Sequence, residues 1–404
     1  GAAADAVGSA LAGSIGSILE VSTKPSIAVL GAGMGGLTLA ATLIESGFNV
    51  RIYEQAPQFT RLGAGIQMSP NAMRVLRGLG LEQTIRSRGF QPHSWTNREW
   101  DSGAMKYELP LGATAEGKFG APYILMHRGD LHAALAARVP AEHIALGKKL
   151  VGFTENGNGV TLSFADGTTA RADAMVAADG VHSCVREAML GADRPRFTGR
   201  VAYRTTFPAA LLEGFSIDEC CKWWGPDRHI VIYYVTANRD EIYFVTSVPE
   251  PDWTHESWSQ TGDLGDLRKA FAGFHEQVQR VVHACPKVHK WALVERDPLP
   301  RWTDGKVVLL GDACHPMTPY MAQGAASAME DAIMLGRCLD HTPDDIAGAF
   351  ERYTALRRPR TARIQLTSHM NTWMRQATDP GWVYGYDVWS APLDRFDEMP
   401  ALEA

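Results

Sequence analysis

Cysteine is scarce in this 404-residue chain: Cys184, Cys220, Cys221, Cys285, Cys314 and Cys338 are its only six, and no two form a Cys-x-x-Cys pair. So thin a supply argues against a disulfide framework and a structural metal site, and suits a reducing compartment, the cytoplasm. Blocks of Lys and Arg are missing too. The net charge is only −6, with 39 basic and 45 acidic residues spread along the chain, which speaks against nucleic acid or an anionic membrane as a partner. No apolar run reaches the roughly 18 residues that a membrane-crossing helix needs. The Ala-, Gly- and Ser-rich start lacks the basic head and apolar core of a secretory signal and carries Asp5, so residues 1–24 read as a linker or an appended segment. With 45% hydrophobic residues, the chain can bury a large core divided over two or three domains.

What is present is loop-to-helix chemistry. The segment Leu310 to Asp331 brings an apolar run to Gly311 and Asp312, stiffens the loop with Pro316 and Pro319, and opens a helix after Gly324. The first N–H groups of such a helix lack internal partners and favour an anion or a polarised ring edge. Asp312 is placed to accept from a sugar hydroxyl.

Near the start, Ser26 to Leu30 runs into Gly31-Ala32-Gly33-Met34-Gly35-Gly36, then a helical stretch, then Asn49 to Glu54. This is a β-α-β unit with a right-handed crossover and a G-x-G-x-x-G at its first turn. Gly31, Gly33 and Gly36 allow the tight turn and the approach of a pyrophosphate to the helix, and Glu54 can hold ribose hydroxyls. Either FAD or NAD satisfies this motif.

From about Arg200 to His289 the texture changes to short alternating runs such as His229 to Val235 and Glu241 to Val248, the pattern of a mainly antiparallel sheet. The expected fold is α/β: a Rossmann-like nucleotide-binding domain (25–93, 117–199 and 290–360), an inserted antiparallel substrate domain (94–116 and 200–289), and a C-terminal helix and tail (361–404). On the strand from His229, period-2 geometry puts His229, Val231 and Tyr233 on one face and Tyr234 on the other. A histidine titrates near neutral pH and a tyrosine can donate to a developing oxyanion.

The second motif, Asp179-Gly180-Val181-His182-Ser183-Cys184-Val185-Arg186, follows an apolar run. With the first G-x-G-x-x-G and the late Gly-Asp segment, it resembles the single-component FAD-dependent aromatic hydroxylases, over nearly all of residues 25 to 390. That resemblance implies one FAD, reduced by NADH or NADPH, and hydroxylation of an electron-rich ring by O2 through a flavin C4a-hydroperoxide. It implies FAD contacts from Glu54, Arg128 and Asp312, with Gln323, Gly324 and Ala325 at the helix opening. Asp179 would lie near both FAD and the pyridine nucleotide.

A narrower resemblance rests on Cys220 to Trp224, Asp227-Arg228-His229, Tyr233-Tyr234, Arg239-Asp240-Glu241, Pro319 to Ala325 and Trp382 to Asp387. These pieces are similar to the 6-hydroxynicotinate 3-monooxygenases, which replace a ring carboxylate by OH with loss of CO2 and form 2,5-dihydroxypyridine. It implies that His229 and Tyr233 are catalytic and that Cys220, Gln67, Pro319, Tyr320 and Met321 meet the substrate. At Gln67 and Tyr320 the pattern of that group has histidines instead. An isomeric acid such as 5-hydroxypicolinate, or a benzenoid acid of the salicylate or hydroxybenzoate kind, therefore stays open. So do a flavin dehydrogenase or epoxidase and a non-catalytic nucleotide-binding scaffold. A monomer and a homodimer are equally compatible with the sequence.

Overall fold

The computed structural model describes residues 23–61, 63–253 and 260–401, so nearly all of the expected linker, residues 1–22, lies outside them. The β-α-β unit at the start forms as its pattern predicts. Strand Ser26–Leu30 pairs in parallel with Asn49–Tyr53, and helix Met34–Glu45 crosses between them. Glu54 follows the second strand rather than closing it. Strand Ala174–Ala177 pairs on the other side of Ser26–Leu30, and Val307–Leu309 adds beyond it, so three stretches far apart in sequence meet in one six-stranded sheet. The carboxyl ends of these strands deliver Gly31, Ala178 and Leu310 to one edge, where an open α/β sheet binds ligands. Both faces are covered, which is why the strands read as unbroken apolar runs.

The second sheet has eight strands, in the order Gln260–Gly262, Val288–Glu295, Arg196–Pro208, Glu241–Pro249, His229–Tyr234, Cys220–Trp224, Ser94–Glu99 and Met105–Pro110. All its pairings are antiparallel except that of Cys220–Trp224 with Ser94–Glu99. The later part of the sheet reaches beyond the expected limits: it starts at Arg196 and takes in the whole of Val288–Glu295, most of which lies in the range expected for the nucleotide-binding unit. One face of this sheet packs on the helices Leu264–Ala270 and Glu276–Ala284, burying Cys221, Trp223, Ile230 and Ile232. Its other face carries Cys220, Lys222, Trp224, His229, Val231 and Tyr233.

Two long helices complete the molecule. Gly324–His341 begins at the late glycine and packs on Met34–Glu45 across small residues, since a Cβ on Gly35 would lie 2.5 Å from Leu310 and 3.3 Å from Ala328. Ile346–His369 runs through Pro359 and stops four residues short of Trp373. Behind it the tail folds back: Tyr384 is buried against Phe119 and Tyr123, and Trp389 donates from Nε1 to the carbonyl of Arg74. The tail aromatics thus belong to the chain's own core. Among the described residues no helix is long and apolar enough to cross a membrane.

Candidate active site

A cavity of about 470 Å³ lies between the carboxyl edge of the first sheet and the free face of the second. Its nucleotide side is made of turns. Gly31 has φ +93°, and a Cβ there would sit 2.2 Å from the carbonyl oxygen of Ala178; one on Gly36 would sit 2.0 Å from that of Gly31. These two glycines serve the packing of the turn. Gly33, Gly180 and Gly324 differ, because an added Cβ at each would meet nothing within 4 Å. Their open side is the cavity, so they form a cradle where a backbone can lie close to a ligand. Gly33 caps helix Met34–Glu45 and Gln323 caps Gly324–His341, neither with a side-chain hydrogen bond to the helix. Two helix N-termini with free donors therefore open toward the cradle, an arrangement that favours a diphosphate.

The charged groups fit the same ligand. Arg128 and Asp312 have accessible side chains yet lie deep in the protein, because the space they face is the cavity and not the outer surface. Burial lowers the Arg128 pKa and raises that of Asp312, and each group partly offsets the other's shift. Asp179 has a buried Oδ1 with no hydrogen-bond partner, and burial raises its pKa. Glu54 takes the amides of Ala32 (3.0 Å) and Ala56 (2.7 Å), which fixes its carboxylate at the end of its strand. A carboxylate that accepts one bond on each oxygen still has lone pairs for ribose hydroxyls. The cradle, the paired helix ends and the orphaned acceptor suit a dinucleotide such as FAD.

The other side of the cavity is the free sheet face, arranged in rows by strand register. Cys220, Tyr233 and Tyr243 lie across from one another, then Lys222, Val231, Val245 and Arg204, then Trp224, His229 and Ser247. Tyr233 and Tyr243 make an edge contact at 5.2 Å between ring centres, and His229 and Tyr320 make another at 5.3 Å. The Tyr320 hydroxyl is 2.9 Å from Ser247 Oγ, which also accepts from Arg200. Tyr123 donates to the amide oxygen of Gln67. Burial, then the charges of Lys222 and Arg200, hold His229 well below the ordinary histidine range, so its imidazole is neutral near pH 7. Burial raises Tyr233 well above the usual phenol range, and it stays protonated.

His229, Tyr233, Gln67, Pro319 and Tyr320 all line the cavity, as do Gly33, Arg128, Asp312, Gly324 and Ala325. Seven expected site residues are not in its lining: Gly31 and Gly36 pack the turn, Glu54 is bonded to Ala32 and Asp179 precedes Gly180 at its margin, and three more lie elsewhere. Cys220 and Met321 sit one layer back, in the aromatic cluster with Tyr123, Tyr233 and Tyr384. Gln323 spends its side chain on the frame, donating to Ser69 (2.9 Å) and accepting from Asn71 (3.0 Å). Sequence reasoning missed Trp95, Arg204, Lys222 and Trp291, which do line the cavity. Lys222 had a legible signal: it is the one cation in a five-residue strand, Cys-Cys-Lys-Trp-Trp, that is otherwise apolar.

Behind the cofactor loop, Cys314, His315 and Asp331 converge within 4.8 Å. Their chemistry is already taken up by a charge network. Asp331 accepts from Arg357 Nε (2.6 Å) and from the amide of Gly311 (3.1 Å), and pairs with His315. Glu330 accepts from Arg357 (3.2 Å), Arg360 (3.1 Å) and Asn71 (3.1 Å).

A nucleotide cradle at the sheet edge, opposite a ring-sized cavity floored by a second sheet, defines a flavoprotein of the oxidoreductase class. The comparisons agree. A family model described as an FAD binding domain matches residues 24–366. The 6-hydroxynicotinate 3-monooxygenase of Bordetella bronchiseptica is 49% identical over 92% of this chain and 97% of its own, and that of Pseudomonas fluorescens 46% identical over 92% and 98%. Among solved structures, HpxO of Klebsiella pneumoniae complexed with FAD and uric acid superposes with a TM-score of 0.77 at 28% identity, over 88% of this chain and 90% of that one. The chain belongs to the FAD-dependent aromatic monooxygenases, the single-component flavoprotein hydroxylases. Its cofactor is FAD, and membership implies a reduced nicotinamide as co-substrate.

Proposed function

We propose that this enzyme carries out the decarboxylative hydroxylation of a hydroxypyridinecarboxylic acid of the 6-hydroxynicotinate type, giving 2,5-dihydroxypyridine, CO2 and water from the acid, O2 and NADH or NADPH. The observation that carries the reading is the cavity floor: one sheet face presents a neutral imidazole and a protonated phenol to the space beside the nucleotide cradle. The near end-to-end likeness to two 6-hydroxynicotinate 3-monooxygenases supports the choice of ring.

Gly33, Arg128, Asp312, Gly324 and Ala325 would hold the flavin, with Glu54 on its ribose and Asp179 near the meeting of flavin and nicotinamide. Reduced by the nicotinamide, FAD supplies an electrophilic oxygen from O2. The chain's own task is to make the ring nucleophilic and keep water out. His229, neutral and buried, accepts the proton of the ring hydroxyl or ring N–H, which pushes electron density toward the carbon that bears the carboxylate. Tyr233 donates to the ring oxygen as charge collects there. A C–O bond forms at that carbon, the bond to the carboxylate breaks, its electron pair returns to the ring, and CO2 leaves. The second oxygen atom of O2 departs as water. Trp95, Tyr243 and Trp291 wall the cavity with rings and limit the entry of bulk water.

His229→Ala is expected to lower kcat about 100-fold, in the range that general base catalysis contributes. Tyr233→Phe should act mainly on coupling, so that more of the nicotinamide consumed ends as peroxide. Both variants should stay yellow. Stopped-flow and product assays check this, and parent-like hydroxylation in both would remove the sheet face from the mechanism.

The test of the function is a screen of ligand-stimulated NADH and NADPH oxidation over hydroxynicotinates, hydroxypicolinates, salicylate and hydroxybenzoates, with CO2 and product measured. The reading expects 6-hydroxynicotinate or its isomeric hydroxypicolinate to give the highest kcat/KM with CO2 released. A benzenoid acid giving the highest kcat/KM would overturn it.

A further inference from the structure

Lys222 is 1% exposed and lies at the centre of strand Cys220–Trp224. Its register partner is Val231, between His229 and Tyr233 on the neighbouring strand. The ammonium lies over the ring of Trp224 at 3.9 Å and 5.7 Å from that of Tyr320, and the side chain lines the cavity. Among the described residues it makes no ion pair and no hydrogen bond. The charged groups that act on it are Arg375, 5.7 Å from the centre of the Trp224 ring, and Arg200, which is tied to Ser247. His229 and Tyr233 are the titratable groups on that face of the adjoining strand, and the charges acting on His229 are Lys222 and Arg200. No carboxylate contributes at either site.

Buried cations are normally paired, because an uncompensated charge in a low dielectric is costly. Here a cation is held near two others, Arg375 and Arg200, and left open to a cavity. On the strand beside it, Asn97 lies opposite Lys222; its Oδ1 accepts from Trp224 Nε1 at 3.0 Å, and its Nδ2 has no partner. That is a second donor without an acceptor next to the first. The cavity's other sheet-borne cation, Arg204, is stacked over Trp291 at 4.0 Å and acts on Arg128, toward the cofactor.

We infer that Lys222 receives the carboxylate of the ring substrate and so selects ring acids over neutral rings of the same shape. The inference rests on the reading that the substrate is an aromatic acid, but not on which ring carries the acid. The anion completes a charge balance that the free protein lacks, and the aromatic walls around Lys222 keep the pair dry, where it is strongest. Burial, with Arg375 and Arg200 adding to it, brings the Lys222 pKa down to about 7. In the free enzyme the receptor is therefore lost as the pH rises, while a bound anion stabilises the charged form.

The test is a ligand and mutation cycle on the flavin-loaded enzyme, reading Kd by flavin absorbance change and by calorimetry. The probes are 6-hydroxynicotinate against 6-hydroxynicotinamide, and 4-hydroxybenzoate against 4-hydroxybenzamide. The parent should prefer the acid in whichever pair it binds, and Lys222→Met should weaken that acid about 30-fold or more, the scale of truncating one partner of a buried charge pair. The amide should bind parent and variant alike, so that the acid preference disappears. Acid binding by the parent should weaken about tenfold per pH unit above pH 7 to 8, with amide binding flat. Because Met keeps the stem and removes an unpaired buried charge, the ligand-free variant should melt at a higher temperature than the parent. An acid preference that survives in Lys222→Met, or a parent that has none, would overturn the inference. If the benzenoid pair alone shows the acid preference and loses it in the variant, Lys222 keeps its role and the pyridine reading fails. If the parent converts 6-hydroxynicotinate with CO2 release and Lys222→Met still prefers the acid, the inference fails and the reading stands.

Discussion

Gly33→Val is expected to give a folded protein without colour. Gly33 adopts an extended backbone (φ −77°, ψ −171°) that valine accepts, and a Cβ there meets no atom within 4 Å. The side chain would instead occupy the space in front of the helix N-terminus, where the diphosphate must approach the backbone. Steric intrusion into a packed site costs up to about 3 kcal/mol, equivalent to FAD affinity about 100-fold weaker. Gly36→Val is the contrast. Its Cβ would press on the carbonyl of Gly31 at 2.0 Å, so that variant should lose the fold itself. Flavin-to-protein absorbance ratios, with circular dichroism and melting curves with and without added FAD, distinguish the outcomes. A fully yellow Gly33→Val would show that the cradle does not hold the cofactor in this way.

The second large effect concerns stability. Arg357→Met should lower the melting temperature by about 5 °C, since breaking a fully buried ion pair costs about 3–5 kcal/mol in a chain of this size. The loss comes from the stranded carboxylates of Glu330 and Asp331, both 0% exposed. Asp331 also accepts from the amide of Gly311, so the network fixes the turn that carries Asp312 toward the cavity. Weaker FAD retention should accompany the loss of stability. The pH dependence follows from the carboxylate. Burial pushes the Asp331 pKa up, His315 and Arg357 outweigh it, and the net shift is downward. A depressed folded pKa gives stability that is fully present above the unfolded value and is lost as the pH falls through the folded one. The contribution of Asp331 should therefore hold from neutral pH down to about pH 4 and fade below it. Melting curves of parent and Asp331→Asn across pH 3 to 7 should converge at the acid end; a gap that widens there would contradict this account.

Much of the cofactor side was legible in the sequence because its chemistry is local. A tight turn needs Gly31 and Gly36, an open helix end needs Gly33 or Gly324, and each announces itself next to the strand that delivers it. The free face with His229 and Tyr233 was legible for a similar reason, since alternation along one strand fixes which side chains share a side. What was not legible depends on register between distant strands. Lys222 reaches the cavity because Cys220–Trp224 pairs with both His229–Tyr234 and Ser94–Glu99, and nothing within residues 220–224 reveals those partners. Cys220 shares that face but is too short to reach past the rings around it. Gln323 is drawn away by Ser69 and Asn71, more than 250 positions earlier. The second sheet runs past the alternating texture to Arg196 and Glu295, because strands Arg196–Pro208 and Val288–Glu295 pair with each other out to those two residues.

The central claim is that this cavity uses reduced FAD to exchange a ring carboxylate for an oxygen from O2. The direct measurement is turnover of 6-hydroxynicotinate, labelled with carbon-13 in the carboxylate, under oxygen-18 gas, with nicotinamide oxidation followed at the same time. The account predicts one labelled CO2 for each nicotinamide oxidised and one oxygen-18 atom in the new hydroxyl of 2,5-dihydroxypyridine. Nicotinamide consumed with peroxide formed, the ring acid intact and no oxygen-18 in any ring product would contradict it.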